Sequence, residues 1–207
     1  MTKIKICGLK RQGDIEYVNE LLPDYIGFVF ARSSRQVDSN LAKQLGKGLD
    51  RRIKKVGVFV NENIELVKKI AQDAELDVLQ FHGDEDQVYL SNFKDFIIWK
   101  SKSIEISIKT ADQDIMEKIN GYPIDGVVLD SSIKGSTGGI GQSFNWNLLQ
   151  SLNIEKKLIL AGGLSVDNVR KAIDIAKPYA VDISSGVETE GVKDFNKIKK
   201  FIEKVRV

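Results

Sequence analysis

Short β-branched apolar runs alternate with longer amphipathic stretches along the chain. The runs that read as strands are Lys3–Cys7, Tyr25–Phe30, Lys55–Val60, Val78–His82, Ile97–Lys100, Gly126–Asp130, Leu158–Ala161 and Ala180–Ser184. Two of them, Val56-Gly57-Val58-Phe59-Val60 and Leu158-Ile159-Leu160-Ala161, are almost continuously apolar. That is the pattern of parallel strands covered on both faces. The segments between strands carry helical periodicity. Val166–Ala176 puts Val166, Val169, Ile173 and Ala176 on one face, and Phe195–Val205 puts Phe195, Ile198, Ile202 and Val205 opposite a row of lysines.

The pattern makes eight strand–helix units, spaced by roughly 25 residues, near the minimum for a βα unit. Right-handed crossovers leave two closures, an open doubly wound sheet or a (β/α)8 TIM barrel. Eight unbroken units favour the barrel, as a single compact domain over residues 1–207. The length lies at the low end for that fold, so its loops are expected to be short. In a barrel the carboxyl ends of the strands share one rim, which holds the chemistry. Cys7, Arg32, Arg35, Asn61, Gln80, His82, Lys100, Asp130, Gly162-Gly163, Asp182 and Ser184-Ser185-Gly186 all fall there.

Composition narrows the chemistry. One cysteine, Cys7, and one histidine, His82, exclude an internal disulfide, a four-ligand structural zinc site and a His-rich catalytic metal centre. Lysine and arginine number 31 against 29 acidic residues, a net charge of +2, which offers no footprint for nucleic acid. No apolar run approaches the roughly 18–20 residues that span a bilayer. Met1–Ile6 alternates like a half-buried strand and lacks a signal-peptide core, and a free thiol suits a reducing compartment, so a cytoplasmic protein is expected.

Five motifs remain, each with a structural alternative. In Lys5-Ile6-Cys7-Gly8 the thiol is either a buried small hydrophobe or, with its pKa lowered by nearby cations, a base or nucleophile. In Ser33-Ser34-Arg35-Gln36-Val37 the arginine is a solvated charge or a bidentate clamp for a carboxylate, with Arg32 a competitor. Gln80 and His82 point the same way along one strand and read as pocket lining rather than catalysts. Asp130 either caps the next element or is a pocket carboxyl able to act as a general acid. The Gly138-Gly139-Ile140-Gly141 cluster after it can offer N–H groups to an anion. Finally, Gly162-Gly163 and Ser184-Ser185-Gly186 follow strands seven and eight, where barrel enzymes bind phosphate, so a phosphorylated ligand is expected over simple tight turns. Strands one and six lie three steps apart, which would set Cys7 and Asp130 across one pocket.

In this order the motifs resemble the phosphoribosylanthranilate isomerase family. The resemblance rests on Lys5-Ile6-Cys7-Gly8, Ser34-Arg35-x-Val37, Leu79-Gln80-Phe81-His82-Gly83, Leu129-Asp130-Ser131, Gly138-Gly139-x-Gly141 with Phe144-x-Trp146, Ala161-Gly162-Gly163-Leu164 and Asp182-x-Ser184-Ser185-Gly186-Val187-Glu188. It runs from residue 3 to Lys193-Asp194. It implies the Amadori rearrangement of N-(5′-phosphoribosyl)anthranilate to 1-(2-carboxyphenylamino)-1-deoxyribulose 5-phosphate in tryptophan biosynthesis, without cofactor or metal. By similarity Asp130 would be the general acid, Cys7 the general base, and Arg35 the holder of the anthranilate carboxylate. Gly162, Gly163, Ser184, Ser185 and Gly186 would cradle the phosphate, with Gly141 in the other glycine loop, while Asp182 would line the anthranilate side. The expected partner is the small phosphorylated substrate, with no nucleic acid or membrane, and the chain a monomer or homodimer.

Two positions depart from the family pattern: Ile140 replaces the usual Thr, and Asn145 replaces Asp before Trp146. Three other functions fit the sequence less well. The related histidine-pathway isomerases have an aspartate where this chain has Cys7, together with a twofold internal repeat not seen here. A ribulose-phosphate epimerase needs more than one histidine for its metal. A catalytically silent phosphate-binding barrel would have no use for both Cys7 and Asp130.

Overall fold

The computed structural model describes residues 1–105, 113–132 and 146–207. The eight apolar runs are strands β1 (Lys3–Cys7), β2 (Tyr25–Val29), β3 (Lys54–Phe59), β4 (Val78–Phe81), β5 (Ile97–Glu105), β6 (Gly126–Ser132), β7 (Lys157–Leu160) and β8 (Ala180–Ile183). They pair in chain order, all parallel, and β1 closes onto β8 with Lys5 opposite Asp182. The fold is the (β/α)8 barrel that the alternation predicts.

Strand alternation sorts the apolar side chains into two cores. Tyr25, Val56, Val78, Trp99, Val128, Ile159 and Ala180 fill the barrel interior. Ile4, Ile6, Ile26, Phe28, Leu79, Phe81, Val127, Leu129, Leu160 and Val181 point outward, under the helices. The barrel is therefore packed through its lower part and opens at the carboxyl rim.

The covering helices are α1 (Gln12–Leu21), α2 (Ser39–Lys47), α3 (Ile64–Asp73), α4 (Gln87–Leu90), α5 (Gln113–Asn120), α6 (Val169–Ala176) and α7 (Phe195–Arg206). Asp38, Asn63, Asp86 and Asp194 each accept a hydrogen bond from a first-turn N–H, capping α2, α3, α4 and α7. Each such cap contributes about 1 kcal/mol. After β4 there is one α-helical turn followed by a 3₁₀ turn, and a 3₁₀ segment (Trp146–Ser151) precedes β7.

Helix α6 begins at Val169, not Val166. The Asn168 side chain accepts from the Ser165 N–H at 2.8 Å and donates to the Gly163 carbonyl at 2.8 Å. This turn takes the first three residues out of the helix and pins the end of β7. No helix among the described residues is long and apolar enough to cross a membrane.

Candidate active site

A cavity of about 330 Å³ opens at the carboxyl rim. Cys7, Arg35, Gln80, His82, Asp130, Gly162, Gly163, Asp182, Ser184, Ser185 and Gly186 all line it. They come from six strand ends, so the closure of the barrel brings them together. Gly141, Ile140 and Asn145 lie outside the described residues.

The interior face of β1 carries Lys5 and then Cys7. Lys5 is fully buried, yet its ammonium donates to Asp182 Oδ2 at 2.7 Å. A lone buried ammonium would cost several kcal/mol, and the adjacent carboxylate offsets that cost. Burial pulls the Lys5 pKa down, but Asp182 and Cys7 outweigh it, and the group stays charged. Asp182 thus lines the cavity as expected and also neutralises Lys5, a role the motif reading did not assign.

Cys7 is half-buried at the end of β1. Burial pushes its thiol pKa up; Lys5 opposes this and Asp182 reinforces it, and the net direction is upward. A cation-lowered thiol was one of the two readings of this motif; the direction is upward because burial is the largest influence and Lys5 is already balanced by Asp182. Gly27 on the neighbouring strand makes room for the thiol, since a Cβ there would sit 2.7 Å from Cys7 Sγ.

Asp130 lies half-buried two residues before the end of β6, separated from β1 round the ring by β7 and β8. On β4, Gln80 is buried and donates to Ser101 Oγ at 3.1 Å. His82 lines the cavity and is exposed to solvent. Desolvation, followed by the charges of Lys100 and Lys5, lowers its pKa, which leaves the ring neutral at pH 7.

Of the two arginines after β2, Arg32 is exposed and Arg35 half-buried. Arg35 is held by Glu188, Nε to Oε1 at 2.8 Å and Nη2 to Oε2 at 2.7 Å. Its stem crosses the end of β1 over Gly8. That residue has φ +82°, and a Cβ on it would lie 2.5 Å from Arg35 Cδ. Only glycine meets both demands.

The two small-residue loops complete the wall. Gly162 and Gly163 have φ of 78° and 62°, a left-handed pair that glycine adopts without strain. Among the described residues, the N–H groups of Gly162, Gly163, Ser185 and Gly186 find no backbone acceptor, so they are available to an anion. Ser184 Oγ donates to the Cys7 carbonyl at 3.0 Å, tying this loop to β1.

Glu188 and Lys193 had no assigned part in the sequence reading. A two-stranded hairpin, Glu188–Thr189 with Val192–Lys193, brings them together. Lys193 Nζ then meets Glu188 Oε1 at 2.6 Å. The available signal was Lys193 five residues after Glu188 across a Glu190-Gly191 turn, which is weak without the pairing.

The assembled groups are a thiol, a carboxyl, a guanidinium and a set of free backbone donors around one cavity. Such a set suits acid–base chemistry on a small ligand bearing two anions. Comparison with known proteins agrees. Residues 4–204 match the family model for N-(5'phosphoribosyl)anthranilate (PRA) isomerase. A curated N-(5'-phosphoribosyl)anthranilate isomerase of Thermoanaerobacter pseudethanolicus is 54% identical over 206 residues, covering 100% of this chain and 98% of that one. The crystal structure of phosphoribosyl anthranilate isomerase from Thermotoga maritima superposes with a TM-score of 0.88 at 32% identity, covering 100% of this chain and 99% of that one. A phosphoribosyl anthranilate isomerase in complex with reduced 1-(o-carboxyphenylamino)-1-deoxyribulose 5-phosphate has a TM-score of 0.82 at 30% identity, with coverage of 100% and 99%.

Proposed function

The chain belongs to the N-(5'-phosphoribosyl)anthranilate isomerase family, and from that premise we propose how its cavity performs the reaction. The protein is an isomerase of tryptophan biosynthesis and carries out the Amadori rearrangement of N-(5′-phosphoribosyl)anthranilate. The roles of individual residues are our reading, and residues 1–207 are taken as one isomerase domain.

The observation that carries it is the presence of Cys7 and Asp130 in one cavity with Arg35 and the small-residue loops Gly162-Gly163 and Ser184-Ser185-Gly186. The phosphate lies against the N–H groups of Gly162, Gly163, Ser185 and Gly186. The anthranilate carboxylate meets Arg35. Asp130, protonated, gives its proton to the ribose ring oxygen; the C1′–O bond breaks and a Schiff base forms. Cys7, as thiolate, then removes the C2′ proton. The electron pair moves into the C1′–C2′ bond to give an enolamine, which tautomerises to the ketone. Gln80 and His82, neutral and hydrogen-bonding, line the sugar, and Asp182 borders the anthranilate side while holding Lys5.

Every group in this scheme comes from one chain, so a monomer or a homodimer serves it equally. The catalytic thiol needs a reducing milieu, and we place the protein in the cytoplasm. The anthranilate fluorescence of the substrate gives the direct test. Its decay on adding the protein is expected, and Cys7→Ala is expected to slow that decay by a factor on the order of 10². Undiminished turnover by Cys7→Ala would overturn the assignment of the base.

A further inference from the structure

Arg35 is fixed before any ligand arrives. Glu188 takes its Nε–Nη2 edge in a two-point fork at 2.8 and 2.7 Å. No acceptor among the described residues meets Nη1. The Nη1–Nη2 edge therefore remains for a second planar carboxylate, which is the geometry two parallel N–H donors recognise.

Glu188 does not stand alone. Its Oε1 also accepts from Lys193 Nζ at 2.6 Å, and its own carbonyl accepts from Lys197 Nζ at 2.6 Å. Lys193 is buried and reaches on to the carbonyl and the Oγ of Ser184, at 3.0 and 3.3 Å. Ser184 in turn bonds the Cys7 carbonyl. One continuous chain of contacts thus joins the clamp, the phosphate loop and the strand that carries the base.

We propose that Glu188 is a positioning residue that aims Arg35 at the substrate carboxylate, with Lys193 the joint that locks this clamp to the phosphate loop. The two anionic ends of the ligand are then gripped at a fixed separation, and the sugar between them is placed against Cys7 and Asp130. Mispositioning by about 1 Å can lower activity by as much as 10²-fold. The proposal rests on the reading of Arg35 as the carboxylate clamp.

The test measures steady-state kinetics with N-(5′-phosphoribosyl)anthranilate, and binding of both the reduced product analogue and inorganic phosphate. Glu188→Gln keeps the shape but loses the charge. It is expected to raise KM roughly tenfold, with a smaller change in kcat, and to weaken the analogue while leaving inorganic phosphate unchanged. Glu188→Asp should recover part of the loss. Lys193→Met should weaken both ligands, because it touches Ser184 as well.

In an Arg35→Ala background, Glu188→Gln should add nothing further. Independent, additive losses there, or unchanged KM in Glu188→Gln, would overturn the proposal. If Arg35→Ala itself leaves the analogue bound as before, the clamp reading has failed instead. Should Glu188→Gln fold poorly, the Arg35→Lys variant decides: lysine cannot serve two carboxylates with a rigid fork, so KM must rise, and unchanged KM refutes the arrangement.

Discussion

Cys7, the base of the proposed mechanism, feels both a buried ammonium and a buried carboxylate. The ammonium of Lys5 would lower the Cys7 pKa on its own, but burial is the larger influence and Asp182 already balances the charge. The direction is upward, so the thiolate fraction of the free enzyme grows only as pH rises. On the proposed mechanism kcat/KM should climb through and beyond about pH 8.5, the ordinary thiol value, and the residual activity of Cys7→Ala should lack that limb. A pH–rate profile on both proteins checks this. Asp130→Asn should cut turnover on the order of 10² while leaving circular dichroism unchanged. Arg35→Ala should weaken anthranilate-bearing ligands more than inorganic phosphate, measured by competitive inhibition; equal losses would place Arg35 at the wrong end of the site. That Cys7, Asp130 and Arg35 share one cavity was legible because they lie at or just beyond strand ends, where a barrel gathers its residues. Lys5 was not, because an isolated lysine inside a strand reads as a surface charge until its partner, 177 positions away, is known.

Strands were the most legible elements. Their apolar runs are set by burial on both faces, and most observed boundaries fall within a residue or two of those read from the pattern. The exception is β5, which runs to Glu105 rather than Lys100 and pairs with β6 out to Ser132, beyond its own apolar run. Helix starts were less legible, since a polar side chain can divert them, as Asn168 does at α6. The loops after β7 and β8 act as one element. A Cβ on Gly186 would stand 2.3 Å from the Leu164 carbonyl oxygen, so the two loops pack backbone against backbone. Gly186→Ala must push them apart. It is expected to weaken inorganic phosphate binding and raise KM for the substrate, with thermal unfolding reporting any general loss of stability.

Barrel closure joins the two ends of the chain, and Lys5–Asp182 sits on the seam between β1 and β8. Removing one partner of such a buried pair typically costs about 3–5 kcal/mol; Lys5→Met should show a loss of that size in denaturant unfolding. Glu188 ties stability to acid. Burial pushes its pKa up, but the hydrogen bonds from Arg35 and Lys193 outweigh burial and hold it at about 2, below the ordinary 4.5. A carboxylate depressed on folding stabilises above its unfolded pKa, and that contribution fades as pH falls from about 4.5 towards about 2. Glu188→Gln should therefore be less stable than the unaltered chain near neutrality, with the gap closing across that window. Melting temperatures from pH 7 down to 2.5 would show it. The alternation of apolar and polar positions was enough to specify eight strands and to favour a barrel, with a rim where reactive residues meet, because strands follow from local periodicity and burial; the closure of β1 onto β8 is a tertiary fact. The Lys5–Asp182 pair, the rise in the Cys7 pKa and the Arg35–Glu188–Lys193 chain arose only once distant segments met. Desolvation and ion pairing depend on what surrounds a group in space, and order along the chain does not carry that information.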